Sequence, residues 1–165
     1  MRVPNELIQE EIAVIERSAG LELDQLAMSV MSNIWRVSQI FRKTLESEVL
    51  REHELTWGSF STLFIIWVWE PIEMSAIAKS QYVSRPTISS SVNLLEKRGL
   101  CTRRPSTSGD GRAIQVELTE AGRKLIEDVF PKFNQGESKF VDGLDIAEMQ
   151  MLASLLRKLL RQHDP

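Results

Sequence analysis

Ser84–Leu118, SRPTISSSVNLLEKRGLCTRRPSTSGDGRAIQVEL, is the stretch that decides the fold. It reads as a helix that starts abruptly, stops at a glycine and runs into a basic two-stranded hairpin. The Ser84 hydroxyl is placed to accept a hydrogen bond from a backbone N–H of the first turn. Pro86 sits in that turn, where a missing N–H costs nothing. Ile88, Val92 and Leu95 recur at i, i+4 and i+7, so one stripe packs inward. Gly99 supplies the left-handed stop. The opposite side carries Pro86, Ser90, Asn93 and Lys97, flanked by Thr87 and Ser89. That face is small and polar, as a helix entering a nucleic-acid groove requires.

The hairpin follows. Cys101-Thr102-Arg103-Arg104 gives way to a loop of Pro, Ser, Thr, Gly, Asp and Gly, and Ile114–Leu118 alternates as a half-buried strand does. Upstream, Ser75–Gln81 is a short helix with Ile77 and Ala78 facing inward, separated from Ser84 by Tyr82-Val83 alone. Two short helices joined so tightly form a helix-turn-helix, and the hairpin behind the second is a wing. Charge concentrates here. Between Lys79 and Lys124 nine positive side chains stand against four negative ones, a net +5 in a chain whose total is −3, leaving −8 elsewhere. A basic middle flanked by acidic ends points to a polyanion partner at one place only.

The flanks read as helices. Asn5–Ser18 is amphipathic through Leu7, Ile8, Ile12 and Ile15, and Gly20 ends it. Asp24–Arg51 spaces Leu26, Val30, Ile34, Val37, Phe41 and Leu45 three or four apart; it is too long for the core of a small domain and is a candidate association helix. Thr56 caps TWGSFSTLFIIWVWE, whose β-branched and aromatic content leaves a strand open while its length and cap favour a buried helix, stopped by Pro71. Thr119 caps a helix to about Phe140, with an irregularity expected near Pro131 and Gly136. Asp145 and Glu148 form a D-x-x-E capping box. It opens a last helix with Met149, Leu152, Leu156 and Leu159 on one stripe. The chain is therefore expected to be mainly α, with a small β-hairpin wing: a winged helix-turn-helix domain plus a helical association region.

Several classes fall away on composition. No apolar run approaches the roughly 20 residues of a membrane span, and the acidic N-terminus lacks a signal peptide's apolar segment. One cysteine among 165 residues excludes an intramolecular disulfide framework and fits a reducing cytoplasm. His53 and His163 lie far apart with no ligand spacing, so no metal is expected. Neither a catalytic Ser/His/Asp or Cys/His set nor a phosphate-binding glycine loop can be assembled, so no enzyme and no cofactor are expected.

For groove reading the candidates are Ser84, Arg85, Pro86, Thr87, Ser89, Ser90 and Asn93. Short polar side chains and Arg or Asn read base edges, and a proline can touch a thymine methyl. Arg103 and Arg104 are candidates for phosphates. Arg112, beyond the Gly109-Asp110-Gly111 turn, is placed for an adjacent minor groove, with Asp110 to orient it.

The order PIEMSAIAKSQYVSRPTISSSVNLLEKRGLCTRRPSTSGDGRAIQVELTEAG resembles the MarR (multiple-antibiotic-resistance regulator) family of winged-helix transcription factors. The carrying residues are Ile77-Ala78, Arg85-Pro86-Thr87-Ile88-Ser89, Leu95-Glu96-Lys97-Arg98-Gly99-Leu100, Asp110-Gly111-Arg112 and Leu118-Thr119-Glu120-Ala121-Gly122. The likeness spans about Asp24–Gln162 and leaves the first helix outside it. It implies one MarR-like domain over 1–165, with helical dimerisation regions at 5–52 and 120–163 and the DNA-binding lobe at 55–118. It further implies a homodimer on a pseudo-palindromic double-stranded DNA operator, repressing transcription until a small phenolic or aromatic carboxylic ligand releases it. The family's ligand pocket would correspond to Trp35, Phe41, Trp57, Phe60, Phe64 and Trp67, with Arg36 or Arg42 for a carboxylate; aromatics at helical spacing are also ordinary core. Where many members carry basic residues, this chain has Ser90 and Leu94. Two other readings stand beside the repressor: a winged-helix dimer serving as a protein-interaction module, and a redox-responsive regulator through Cys101, set against a structural role for that cysteine.

Overall fold

The computed structural model describes residues 7–106 and 113–163. The chain divides into two compact units, one up to Lys43 and one from Thr44 onward.

In the first unit, α1 (Gln9–Arg17) is followed by Gly20 at a φ of 91° and by α2 (Gln25–Leu45). Asp24 opens α2 by accepting the Ala27 N–H at 2.9 Å. The apolar stripe expected on α1 is not its buried side: Leu7, Ile8 and Ile12 are exposed, and Glu11 is the buried residue. Glu11 accepts from the backbone N–H of Ile8 (3.1 Å) and from the Asn33 amide (3.2 Å), while Glu10 pairs with Arg36 at 3.1 Å. These polar contacts tie α1 to α2.

The second unit begins where α2 widens into a π-helical turn, Glu46–Leu50, and tightens into a 3-10 turn, Arg51–His53. The helical run expected to Arg51 is thus continuous, though not regular. Next come α3 (Trp57–Trp69), β1 (Ile72–Glu73), α4 (Met74–Ser80), α5 (Arg85–Lys97), β2 (Cys101–Pro105), β3 (Ile114–Leu118), α6 (Glu120–Phe140) and α7 (Ile146–His163). The start of α3 is a reciprocal box: Ser59 N–H donates to the Thr56 hydroxyl at 3.2 Å, and Thr56 N–H to the Ser59 hydroxyl at 2.9 Å. The sheet is antiparallel in the order β1-β3-β2. Cys101 pairs with Leu118, Arg103 with Val116 and Pro105 with Ile114, and on the other edge Ile72 pairs with Val116.

Leu50, Leu63 and Ile66 meet Ile77, Ile88, Val92, Leu95, Val116, Ile126 and Val129 in a core where none is more than 1% exposed. Burying side chains of this size contributes on the order of 2 kcal/mol each before the entropy of ordering is subtracted. The irregularity expected near Pro131 and Gly136 does not interrupt α6, which runs from Glu120 to Phe140 with Pro131 inside it. Pro131 forgoes one backbone bond, but it lies on the exposed side between buried Val129 and Phe133, whose packing holds the segment. The capping box at α7 forms as expected, with Asp145 N–H to Glu148 and Glu148 N–H to Asp145 both at 2.9 Å. Among the described residues no helix is long and apolar enough to cross a membrane.

Candidate nucleic-acid interface

Ser84 caps α5 through its hydroxyl, which accepts the Thr87 N–H at 3.3 Å and lies 2.8 Å from the Thr87 hydroxyl. Ile88, Val92 and Leu95 are fully buried, fixing the rotation of the helix. With the stripe anchored, Arg85, Pro86, Thr87, Ser90, Asn93 and Lys97 all face solvent, as the helical spacing requires, and Ser89 is half-buried. Leu94 joins that outer face, 45% exposed.

The far end of α5 is held in three ways. Gly99 takes the left-handed turn at a φ of 70°. Arg98 donates from its two terminal nitrogens to the carbonyls of Glu54 (2.8 Å) and His53 (3.0 Å), tying the helix end to the entrance of the lobe. The Thr119 hydroxyl donates to the Gly99 carbonyl at 2.6 Å and accepts the Gly122 N–H at 3.0 Å, so a single side chain caps α6 and fastens it to the end of α5. With the Ser84 cap at its start, α5 is thus held at both ends. Arg98 and Thr119 were not among the expected site residues; the partners of Arg98 are backbone carbonyls more than 40 positions away, which local spacing does not reveal.

The two arginines of β2 differ. Arg104 is 68% exposed and pairs across the hairpin with Glu117 at 2.6 Å. Arg103 is turned in: its guanidinium meets Glu96 at 2.5 Å, the Asn93 side-chain oxygen at 2.7 Å and the Ser89 carbonyl at 3.3 Å. Beside them a cleft of about 630 Å³ is lined by Glu73, Met74, Ser75, Arg85, Pro86, Ser89, Ala113 and Ile114, at the root of the wing. Asp110 and Arg112, expected at the wing tip, lie outside the described residues. The hairpin is pinned at its base, where Glu70 accepts the Leu118 N–H at 2.7 Å and pairs with Arg123.

Cys101 is 1% exposed, its Sγ 3.8 Å from the Val92 carbonyl. Burial first, and the Glu96 charge second, push the thiol up to about 11, against a smaller opposing pull from Arg103. A thiol so placed is a packing group, which favours the structural role over the redox one.

The expected ligand-pocket residues divide between the units. In the second, Trp57, Phe60 and Phe64 do come together, but around two partners the sequence did not single out. Phe133 lies 4.4 Å from Phe60 and 5.9 Å from Trp57 between ring centroids, and Phe130 lies 5.2 Å from Phe64 and 5.6 Å from Trp67. Phe60 and Phe133 are buried and make this cluster a wall of the core. Trp35, Arg36 and Phe41 belong to the first unit; Trp35 is exposed there and Arg36 is engaged by Glu10.

Comparison with known proteins converges on this geometry. The family model described as "MarR family" matches residues 55–114. An uncharacterised HTH-type transcriptional regulator of Bacillus subtilis, YwaE, is 32% identical over 157 residues, covering 93% of this chain and 91% of its own. Among solved structures, MepR of S. aureus in complex with DNA superposes with a TM-score of 0.70 at 25% identity, over 79% of this chain and 96% of that one. BpsR of Bordetella bronchiseptica, whose DNA binding is regulated by 6-hydroxynicotinic acid, gives 0.71 at 24% identity, over 79% and 97%. The capped α5, the hairpin behind it and these likenesses agree: the chain belongs to the MarR family of winged helix-turn-helix transcriptional regulators.

Proposed function

We propose that the protein is a homodimeric, sequence-specific DNA-binding repressor that seats α5 in the major groove and is released by a small aromatic or phenolic ligand. The observation that carries the DNA-binding part is α5 itself. Its three apolar residues are fully buried, its start is capped by Ser84, its far end is held by Arg98 and Thr119, and Arg85, Thr87, Ser90 and Asn93 are exposed on its outer face. In this reading Arg104 neutralises a phosphate, and Asp110 and Arg112 serve the wing tip. MepR, of like fold, forms a DNA complex.

Dimerisation is supported by apolar side chains that nothing among the described residues covers. Leu26, Met31, Trp35 and Ile40 of α2 are each more than half exposed, as are Ile146, Met151, Leu155 and Leu160 of α7. Apolar faces of that extent mark association surfaces. A twofold pair would set two α5 helices roughly 34 Å apart, one turn of DNA, on a pseudo-palindrome. The effector class is supported by the aromatic wall of α3 and α6 and by the regulation of BpsR by an aromatic acid.

Titration of labelled DNA from upstream of the protein's own gene is the test. Sequence-selective binding that falls steeply between about 50 and 200 mM salt is expected. Absence of any sequence preference at moderate salt would instead favour an interaction module. Aromatic acids and phenols that both raise the melting temperature of the free protein and displace DNA would identify the effector.

A further inference from the structure

We infer that Arg103 sets the base preference of Asn93 rather than gripping a phosphate; this rests on the groove-reading role of α5 proposed above. Arginine has N–H donors and no acceptor, so whatever lies 2.7 Å from its guanidinium must be an acceptor. The Asn93 amide can therefore present only its oxygen to Arg103, and its NH2 group is left for the groove. The alternative amide orientation sets donors against donors beside a positive charge. Glu96, at 2.5 Å, and the Ser89 carbonyl hold the guanidinium against the flank of α5. Ser89, Asn93 and Glu96 are spaced i, i+4 and i+7, so they line the side of the helix that meets β2. Arg103 comes from the third position of β2, paired with Val116, a rigid place from which to hold a helix side chain.

The consequence is chemical. Asparagine reads adenine with both ends of its amide, the oxygen accepting from N6 and the nitrogen donating to N7. With its oxygen turned to Arg103, Asn93 is a donor-presenting group, suited to guanine O6 and N7 or thymine O4. Arg103, 22% exposed and bonded to three groups of α5, is a positioning residue for this contact. Exposed Arg104 remains the phosphate candidate of the pair.

The experiment begins with selection from a randomised palindromic pool by the full-length protein. Wild type, Asn93→Ala, Arg103→Ala, Arg103→Lys and the Asn93→Ala/Arg103→Ala double variant are then titrated against the selected site and its single base-pair variants. We expect Asn93→Ala to lose about tenfold of discrimination at one position of each half-site. Arg103→Ala should lose the same discrimination at the same position, with the double variant no worse than either single change. Arg103→Lys, which keeps the charge but loses the planar fork that spans Glu96, Ser89 and Asn93, should behave like Arg103→Ala. Asn93→Asp, which keeps an oxygen for Arg103 and removes the donors, should lose the preference while leaving α5 folded. The inference is overturned if Arg103→Ala weakens all sequences equally, lowers the salt slope by about one and leaves the base preference intact, as loss of a phosphate contact would. A wild-type protein that selects no sequence at all would overturn the DNA-binding reading itself, a distinct result.

Discussion

Gly122 packs its α-carbon against the carbonyl of Leu100 so closely that a β-carbon there would stand 1.9 Å from the oxygen. The neighbour is backbone, and the same carbonyl accepts the Thr119 N–H at 3.1 Å, so neither side can give way. Gly122→Ala must push α6 off the end of α5. A loss of about 3 kcal/mol is expected, read from the urea midpoint at fixed protein concentration. A variant as stable as wild type would mean that the two helix ends are not locked together.

Cys101 supplies a second prediction. With its thiol pushed up to about 11, the reactive thiolate is a small minority at pH 8. A disulfide reagent should modify the native protein at least about a hundredfold more slowly than the urea-unfolded chain. Peroxide treatment should leave operator affinity unchanged. Rapid labelling of the folded protein, or loss of binding on oxidation, would restore the redox-responsive reading.

Acid stability should depend on two glutamates. The Glu11 carboxyl is held below its ordinary 4.5, first by the Ser29 hydroxyl, then by the Ile8 N–H, the Asn33 amide and the Arg36 charge. Glu52 is held down first by its hydrogen bond from Lys132 and by that lysine's charge. A carboxyl with a lowered folded pKa is protonated first in the unfolded chain, so its contribution is complete above the unfolded value and disappears as pH falls through the folded one. Denaturation midpoints should therefore drop as pH falls below about 4.5, with a shallower dependence for Glu11→Gln and Glu52→Gln. Equal slopes for wild type and variants would remove both groups from the linkage.

The elements with strong local signals were legible in the sequence. Ser84, Pro86, the Ile88-Val92-Leu95 stripe and Gly99 each act within a few residues, and α5 lies where they put it. What escaped depends on distant partners. Strand β1 is two residues long, too short for any alternation, and exists because Ile72 and Glu73 find Val116 and Gln115. Phe130 and Phe133 looked like ordinary helix residues until α6 met the aromatics of α3. The glycine of the Leu118–Gly122 motif was recognisable as a motif, but its reason, the Leu100 carbonyl, is a contact between two elements. Arg103 was assigned to phosphates from its place in a basic strand; only the fold shows Asn93 and Glu96 within its reach.

The last prediction concerns α7. None of its 18 residues is buried, although Ile146, Met151, Leu152, Leu155, Leu159 and Leu160 are large apolar groups. In a protein most of a helix's stability comes from packing an apolar face rather than from intrinsic propensity. In the proposed dimer that packing is supplied by the second copy. Leu155, 52% exposed here, lies within this face, and Leu155→Glu would set a charge into the interface with no partner in view. Burying an unpaired carboxylate should weaken self-association by roughly a hundredfold or more. Sedimentation should then show monomers at micromolar concentration, and operator affinity should fall with the loss of the second half-site contact. Lys158→Glu, a charge change at an already exposed polar position of the same helix, serves as the control and should remain associated. If Leu155→Glu sediments as wild type does, α7 is not part of the association surface, and the exposed face of α2 becomes the place to look.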